Sequence, residues 1–121
     1  MTNKESAVSF LKMAGSGEVT SAYDKFVEPE FIHHNQYFPG DRQSLMIAMQ
    51  DAHKTNPNTS FEVKHIYEDG NTVITHSYVA KEDLEITVVH IFRFNQNHKI
   101  VKLWDVGQLI NKDTPNKNSP F

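Results

Sequence analysis

The stretch of residues 85–108, EITVVHIFRFNQNHKIVKLWDVGQ, most constrains how this chain can fold. It holds two segments rich in β-branched and aromatic residues, 86–94 and 99–106, separated by the polar tetrad 95–98. Segments of this composition without internal Gly or Pro are typical of β-strands. We therefore predict a long β-hairpin with the tetrad as its loop.

The register of this hairpin places one histidine and one aspartate on the same face. With the tetrad as the loop, His90 pairs with Leu103. Val88 then pairs with Asp105, two residues further along, so that His90 and Asp105 share an otherwise apolar face. Burial and proximity shift the pKa values of such groups toward useful acid and base strengths, but buried polar groups also pair for structural reasons. The pair is either a functional site or a satisfied buried contact.

The opposite face of the hairpin is too apolar to face water alone, and both faces are expected to be covered. A second copy of the chain would cover it, because exposed apolar patches of this kind usually find a partner. A tail or helix of the same chain is the alternative. We expect a homodimer formed through Ile91, Ile100, Trp104 and Val106.

The size and composition of the chain exclude several classes of protein. With 121 residues, it is expected to form one domain around one core. It contains no cysteine, which excludes disulfides, thiolate-bound zinc and a catalytic thiol. A formal net charge of -3 with scattered basic residues predicts neither a nucleic-acid nor a membrane partner. No apolar run reaches membrane-spanning length and the first residues do not resemble a signal peptide, so we expect a soluble cytoplasmic protein.

Three helices are predicted ahead of the strands. Thr2 and Glu5 form a capping box for the first helix, which stops at Gly15 and Gly17. A short second helix runs from about residue 19 until Pro29 ends it. Residues 31–38 are read as extended or irregular. Asp41 then caps a third helix that ends near residue 55, before Asn56-Pro57.

From Ser60 onward the pattern alternates, which predicts a second hairpin around Asp69-Gly70-Asn71. Its expected register puts the following residues on one face: Phe61, Val63, His65, Tyr67, Ile74, His76, Tyr78 and Ala80. The whole chain is then an α+β domain over residues 1–110, with helices covering one face of a mainly antiparallel sheet, followed by a polar tail, 111–121, that is mobile or docks through Phe121.

Several polar side chains are expected to converge between the sheet and the helices and to line a cavity there. They are His33 or His34 together with His76, Tyr78, His90 and Asp105. Any one of them alone is more often a satisfied structural residue. A three-histidine metal site is disfavoured because no His-x-His or His-x-x-x-His spacing holds two ligands together. We predict no metal and no other cofactor.

The order of elements and three motifs, HHNQYFPGDRQSL, VVHIFRF and KIVKLWDVGQ, resemble the SnoaL-like polyketide cyclases of the nuclear transport factor 2-like superfamily. The resemblance spans nearly the whole chain. It implies a strongly curved α+β cone whose concave sheet face and helices enclose a pocket, and which commonly dimerises through the outer sheet face. It also implies that His34, followed by Asn35, is the pocket histidine and that Asp105 is the acid/base residue. The chain departs from the family pattern at His90, Lys102 and Leu103.

The expected ligand is a small apolar carbonyl compound, and three classes of function remain open: a cofactor-free cyclase or isomerase, a non-catalytic carrier, and an interaction scaffold. For the enzyme, Asp105 is the predicted base, and His34 or His90 donates a hydrogen bond to an enolate oxygen. The predicted substrate-binding residues are His33, Asn35, His76, Tyr78, Phe92, Leu103 and Trp104. Fold alone does not choose among these functions.

Overall fold

The computed structural model describes all residues from 1 to 121 and contains three helices and five strands. The helices are α1 (Asn3–Gly15), α2 (Val19–Phe26) and α3 (Arg42–Thr55), and the strands are β1 (Val27–His33), β2 (Asn58–Asp69), β3 (Thr72–Lys81), β4 (Glu85–Phe94) and β5 (Ile100–Leu109). No helix is long and apolar enough to cross a bilayer. The α+β class is confirmed, whereas the cytoplasmic location stays a prediction.

The predicted helix boundaries follow from their caps. The Thr2 hydroxyl accepts a hydrogen bond from the Glu5 amide at 3.1 Å, and the Glu5 carboxylate accepts one from the Thr2 amide at 3.0 Å, which completes a capping box. Asp41 accepts from the Ser44 amide at 3.0 Å and starts α3. These side chains satisfy amides that have no partner inside the helix.

The sheet has five strands in the order β1-β5-β4-β3-β2, one more than the four consecutive strands predicted. The extra strand, β1, runs parallel to β5 and occupies residues assigned from sequence to the end of the second helix and to an extended or irregular segment. Pro29 lies inside it, which is compatible with a strand because β1 is at the sheet edge. Residues after His33 form the turn that leads to α3.

The β4–β5 hairpin has a different register from the one predicted. Phe94 pairs with Ile100 across a loop of five residues, and a bulge at Val101 then brings His90 directly opposite Asp105. The Asn95 side chain holds the longer loop by accepting hydrogen bonds from the Asn97 and Lys99 amides at 2.9 and 3.0 Å. Because the total shift is two residues, His90 and Asp105 still share a face, as predicted.

The bulge also corrects the expected position of Ile100. This side chain was predicted on the face of the dimer interface, but it is 1% exposed and belongs to the core. The extra residue at Val101 reverses the alternation between Ile100 and the rest of β5, so that Ile100 follows Phe94 inward.

A second bulge, at Lys64 in β2, divides the face predicted for the first hairpin. Phe61 and Val63 pair with Val79 and Ser77, whereas His65 and Tyr67 beyond the bulge pair with His76 and Ile74. Because the bulge adds one residue, the side chains of Phe61 and Val63 point to one side of the sheet and those of His65 and Tyr67 point to the other. His65 and His76 share a face, as predicted, but that face is opposite to the one that carries Phe61.

The helices cover one side of the sheet, which we call the inner face; its residues in β3, β4 and β5 are Val73, Thr75, Ser77, Val79, Val88, His90, Phe92, Leu103 and Asp105. The other side, the outer face, carries Ile74, His76, Tyr78, Thr87, Val89, Ile91, Trp104 and Val106. The core lies between the inner face and the helices. Its aromatic centre is Phe10, Tyr23, Phe31, Phe92 and Phe94, in which Phe10 meets Tyr23 and Phe92 edge to face.

Candidate functional site

A cavity of about 290 Å³ lies where the core leaves space between the inner face and the C-terminal ends of α1 and α3. Nine of its fifteen lining residues are hydrophobic, which is typical of a small-molecule site. The lining residues are Phe10, Leu11, Ala14, Gly15, Met49, Ala52, His53, Asn58, Phe61, Val79, Lys81, Ile86, Val88, His90 and Asp105.

Asp105 lines this cavity from β5 and is held by Asn35. The Asn35 side-chain amide donates a hydrogen bond to Asp105 Oδ2 at 3.1 Å. The turn after β1 positions Asn35, because the His34 amide donates to the Leu103 carbonyl at 2.9 Å and fastens this turn to β5. The structure therefore brings together Asn35 and Asp105, two residues that the family resemblance had marked separately.

His90 stands directly across the β4–β5 ladder from Asp105 and lines the same cavity. Its Nδ1 is buried without a hydrogen-bond partner, while Nε2 has no protein partner either and is not buried. Burial lowers the pKa of His90 to about 4, and the neighbouring Asp105 carboxylate opposes that shift. The imidazole is therefore neutral at physiological pH.

The neutral ring of His90 can carry its proton on either nitrogen. A proton on Nδ1 would be a buried donor without an acceptor, which is rarer in proteins than an acceptor without a donor. The tautomer protonated at Nε2 is therefore favoured. In this tautomer the accessible nitrogen of His90 offers an N–H donor to the cavity.

Two of the polar side-chain atoms that lack partners belong to residues that line the cavity, His53 and His90. Only five buried side-chain nitrogen or oxygen atoms have none: Arg42 Nε, His53 Nδ1, Thr75 Oγ1, Ser77 Oγ and His90 Nδ1. Three of them belong to inner-face residues of β3 and β4, and His53 lines the cavity. Such clusters are unusual, because buried polar groups in native structures are nearly always hydrogen-bonded.

The two histidines predicted from the HHN motif do not reach the cavity. His33 is buried beside Phe31, donates from Nε2 to the Pro39 carbonyl at 2.6 Å and accepts the Asn35 amide at Nδ1 at 3.1 Å. Both of its ring nitrogens thus shape the turn. His34 is exposed and stacks on Trp104 with ring centroids 4.4 Å apart, on the outer face. The expected oxyanion role of His34 therefore has no geometric support.

The other predicted binding residues are also elsewhere. His76, Tyr78 and Trp104 lie on the outer face, because the bulge at Lys64 separates the first two from Phe61. Phe92 and Leu103 do face inward, but they are 0% and 2% exposed and pack in the core without lining the cavity. Of the ten predicted site residues, the cavity contains His90 and Asp105, with Asn35 bound to the latter.

Sequence reasoning missed the helical side of the cavity. His53 follows Met49 by four residues on α3 and extends the apolar stripe of that helix, a spacing that could have marked it as inward-facing. Its ring lies against Gly17, where φ is 97° and a Cβ would collide with it. Lys81, at the end of β3, donates to the Asn56 carbonyl at 2.6 Å, and burial lowers its pKa. No sequence pattern pointed to Lys81.

Comparison with known families decides the identity of the fold. Residues 9–103 match the model of the SnoaL-like domain, which is most of the chain. The chain belongs to the SnoaL-like domain family. The match covers the span from α1 to Leu103 and so includes His90 but stops before Asp105. No curated protein matches this SnoaL-like chain.

Solved structures place this SnoaL-like domain in the nuclear transport factor 2-like fold. A protein of unknown function from Burkholderia xenovorans, described as NTF-2 like, aligns with a TM-score of 0.74 at 18% identity over 93% of this chain and 88% of its own. A proposed hydroxylase, AclR from Streptomyces galilaeus, gives 0.74 at 17% identity over 88% and 79%. A proposed SnoaL-like polyketide cyclase from Shewanella denitrificans gives 0.70 at 13% identity over 88% and 90%. Identities this low establish a shared fold only.

Proposed function

We propose that this SnoaL-like protein is an enzyme that performs acid/base chemistry without a cofactor on a small apolar carbonyl compound. One observation carries the proposal. A carboxylate, Asp105, and a neutral imidazole, His90, stand directly opposite each other in one apolar cavity, and the imidazole has an unused donor. A carboxylate that can accept a proton and a neutral imidazole that can donate a hydrogen bond are the usual components of proton-transfer sites.

Asp105 is the base in this proposal. Its carboxylate removes a proton from the carbon next to the carbonyl, and the C–H electron pair moves to the carbonyl oxygen to form an enolate. The hydrogen bond from Asn35 engages Oδ2 and orients the group, which leaves Oδ1 for the substrate. A positioned base of this kind contributes about 10² to 10⁴ in rate.

His90 stabilises the enolate oxygen. Because its ring is neutral, the Nε2–H group donates a hydrogen bond without protonating the carbonyl. A preorganised donor is effective because it stabilises the developing charge on the oxygen without having to reorient as water molecules would. In an aldol cyclisation the enolate carbon then attacks a second carbonyl, whose oxygen takes the proton held by Asp105. In an isomerisation the enolate is conjugated with a C=C bond and takes that proton back at the far carbon of this system.

The cavity limits the size of the substrate. A volume of about 290 Å³ is at the lower end of the range of about 300–1,000 Å³ that is usual for small-molecule sites. The lining is mainly aliphatic and aromatic, so the carbon framework of the substrate must be apolar. A compact ketone or β-keto compound fits both conditions.

A non-catalytic carrier for the same compounds is the second candidate. The observation in its favour is that His53, which lines the cavity from α3, has a ring nitrogen without a hydrogen-bond partner, in addition to His90. Polar groups without partners gain hydrogen bonds from a bound ligand, whether or not a reaction follows. The carrier requires the cavity but not the basicity of Asp105.

Exchange of α-hydrogens for deuterium separates the two functions. We expect the wild-type protein to accelerate exchange in a compact ketone such as 2-tetralone, followed by proton NMR in D₂O, and Asp105→Asn to lose about a hundredfold or more. Glu85→Gln, a carboxylate-to-amide change at the outer-face partner of Tyr78, is the control and should exchange at the wild-type rate. Equal rates for wild type and Asp105→Asn would exclude the enzyme. Binding of the ketone without any exchange by wild type would identify a carrier.

A further inference from the structure

The cavity has a second polar end, which we call the lysine end and define by Lys81, His53 and Asn58. Lys81 is the last residue of β3 and comes six positions after Thr75, the residue that pairs with His90. Asn58 pairs with Lys81 from the start of β2, and His53 lies in the last turn of α3. The lysine end is therefore at the opposite end of the cavity from His90.

The wall between the two ends is apolar. Val79, Ile86 and Val88 line it from the sheet, and Leu11 and Met49 line it from the helices. Apolar surface of this kind favours a hydrocarbon framework over polar groups. A ligand that fills the cavity therefore needs an apolar body with a polar group at each end.

Lys81 has charge and hydrogen-bonding capacity that the protein does not use. One N–H of its ammonium group donates to the Asn56 carbonyl at 2.6 Å, which leaves two. No carboxylate forms an ion pair with it, because the one ion pair of the chain joins Lys64 to Glu62. Burial lowers the pKa of Lys81, and the negative charge of Asp83 opposes that shift. An anion bound beside the ammonium would offset the cost of burial.

His53 supplies a second donor at the lysine end. Neither of its ring nitrogens has a protein partner, and Nδ1 is buried whereas Nε2 is not. As in His90, a proton on the unburied Nε2 is favoured, because a buried donor without an acceptor is rare. The ring lies against Gly17, where a Cβ would collide with it. An imidazole N–H beside an ammonium group is an arrangement that binds a carboxylate through charge-assisted hydrogen bonds.

We propose that the compound bound in this cavity is a keto acid, whose carbonyl lies at His90 and Asp105 and whose carboxylate binds to Lys81 and His53. The position of the carbonyl rests on the proposed function, whereas the position of the carboxylate rests on the lysine end alone. One ammonium group matches a monoanion. A phosphate, with a charge of about -1.5 to -2, would stay incompletely neutralised because no arginine lines the cavity.

The exposure of the lysine end limits the gain in affinity. Lys81, His53 and Asn58 are each half-buried, so water screens part of the attraction between the ammonium and the carboxylate. A hydrogen bond to a charged group still contributes more than one between neutral groups. We therefore expect a carboxylate to bind about tenfold more tightly than a neutral amide of the same shape.

Isothermal titration calorimetry with three ketones of one framework tests the proposal. The ligands are 2-tetralone, its 6-carboxylate and its 6-carboxamide, which differ only on the ring remote from the ketone. Wild type should bind the carboxylate about tenfold more tightly than the carboxamide. Lys81→Met should lower the affinity for the carboxylate to that for the carboxamide, and Lys81→Arg, which keeps the charge, should retain the preference. Lys54→Met removes an exposed lysine next to His53 that does not line the cavity, and should retain it in full.

Two results would overturn the proposal. One is that wild type binds the carboxylate no more tightly than the carboxamide, or does not bind the carboxylate at all. The other is that the preference for the carboxylate persists in Lys81→Met, because the anion would then bind elsewhere. Both can be told apart from a failure of the proposed chemistry, which is measured by α-hydrogen exchange in 2-tetralone. Exchange without a carboxylate preference would keep the enzyme and exclude the keto acid, whereas a preference that depends on Lys81 without exchange would identify a carrier of keto acids.

Discussion

The inner and outer faces of the sheet differ in whether their polar side chains have partners. On the outer face, His76 is hydrogen-bonded to Thr87 at 2.8 Å, Tyr78 donates to Glu85, and Trp104 is stacked with His34 and lies under Arg93. On the inner face, Thr75, Ser77 and His90 have buried polar atoms without any partner.

This contrast, and not composition, supports the proposal that the inner face carries the function. Both faces carry histidine, threonine and aromatic residues at similar density, so residue type does not distinguish them. What differs is whether hydrogen-bonding capacity is used within the protein. Unused capacity in a buried place costs stability, and sites for ligands or catalysis are where such costs usually occur.

The largest expected difference between the faces is in stability. Phe92→Ala on the inner face removes a ring that is 0% exposed and packs on Phe10, and should lower the free energy of unfolding by about 3–5 kcal/mol. Tyr67→Ala on the outer face, where the side chain is 59% exposed, should change it by about 0.5 kcal/mol or less. Urea denaturation at low protein concentration measures both. A small loss for Phe92→Ala would show that this residue lines a site, as sequence reasoning had proposed, instead of filling the core.

The second difference concerns catalysis. His90→Phe keeps a flat ring on the inner face but removes the proposed donor to the enolate, and should slow α-hydrogen exchange by about 10²–10³. His76→Phe makes the same chemical change on the neighbouring strand but on the outer face, and should leave the rate within about twofold, as expected of a residue that makes no contact with the reacting atoms. Similar rates for the two variants would remove His90 from the mechanism.

The third difference appears when the pH is lowered. The folded-state pKa of His90 is about 4, below the value of about 6.5 in the unfolded chain, so the unfolded state binds more protons between these values. The stability due to the neutral ring is complete above pH 6.5 and is lost as the pH falls toward 4, in total about 3 kcal/mol. Wild type should therefore lose about this much more than His90→Gln between pH 7 and pH 4 in urea titrations. Parallel losses in the two proteins would contradict the burial of His90.

The contrast between the faces also explains which features could be predicted from the sequence. Local rules were sufficient for the Thr2–Glu5 capping box, the Asp41 cap and the alternation of the strands. Each depends on residues within a few positions of one another. The resemblance to the SnoaL-like family then supplied the arrangement of helices on the sheet, and the family match and solved structures confirm it.

The errors arose from single extra residues and from contacts distant in sequence. An alternating sequence pattern does not reveal a bulge such as those at Lys64 and Val101. Each bulge reverses the face on which every later residue of its strand lies. For this reason His76 and Tyr78 lie on the face opposite to the candidate site. The pairing of β1 with β5 and the approach of His53 to the sheet join segments that no local pattern connects. Sequence reasoning therefore found the part of the candidate site that belongs to one hairpin and missed the part that the helices contribute.

The smallest expected difference is the most direct comparison of the faces, because one substitution should have opposite signs on them. Thr75 on the inner face is 0% exposed and its hydroxyl has no partner, whereas Thr87 on the outer face is 8% exposed and bonded to His76. Replacing an unpartnered buried hydroxyl by a methyl removes a desolvation cost, so Thr75→Val should stabilise the free protein by about 1 kcal/mol. Thr87→Val breaks a hydrogen bond and should destabilise it by a similar amount. Both variants keep a β-branched residue in a strand, so β-strand propensity contributes equally to the two changes in stability. Urea denaturation of the two variants and the wild type checks the signs of both changes. Destabilisation by Thr75→Val would show that the Thr75 hydroxyl has a hydrogen-bond partner, such as a bound water. The polar groups of the inner face would then be hydrogen-bonded like those of the outer face.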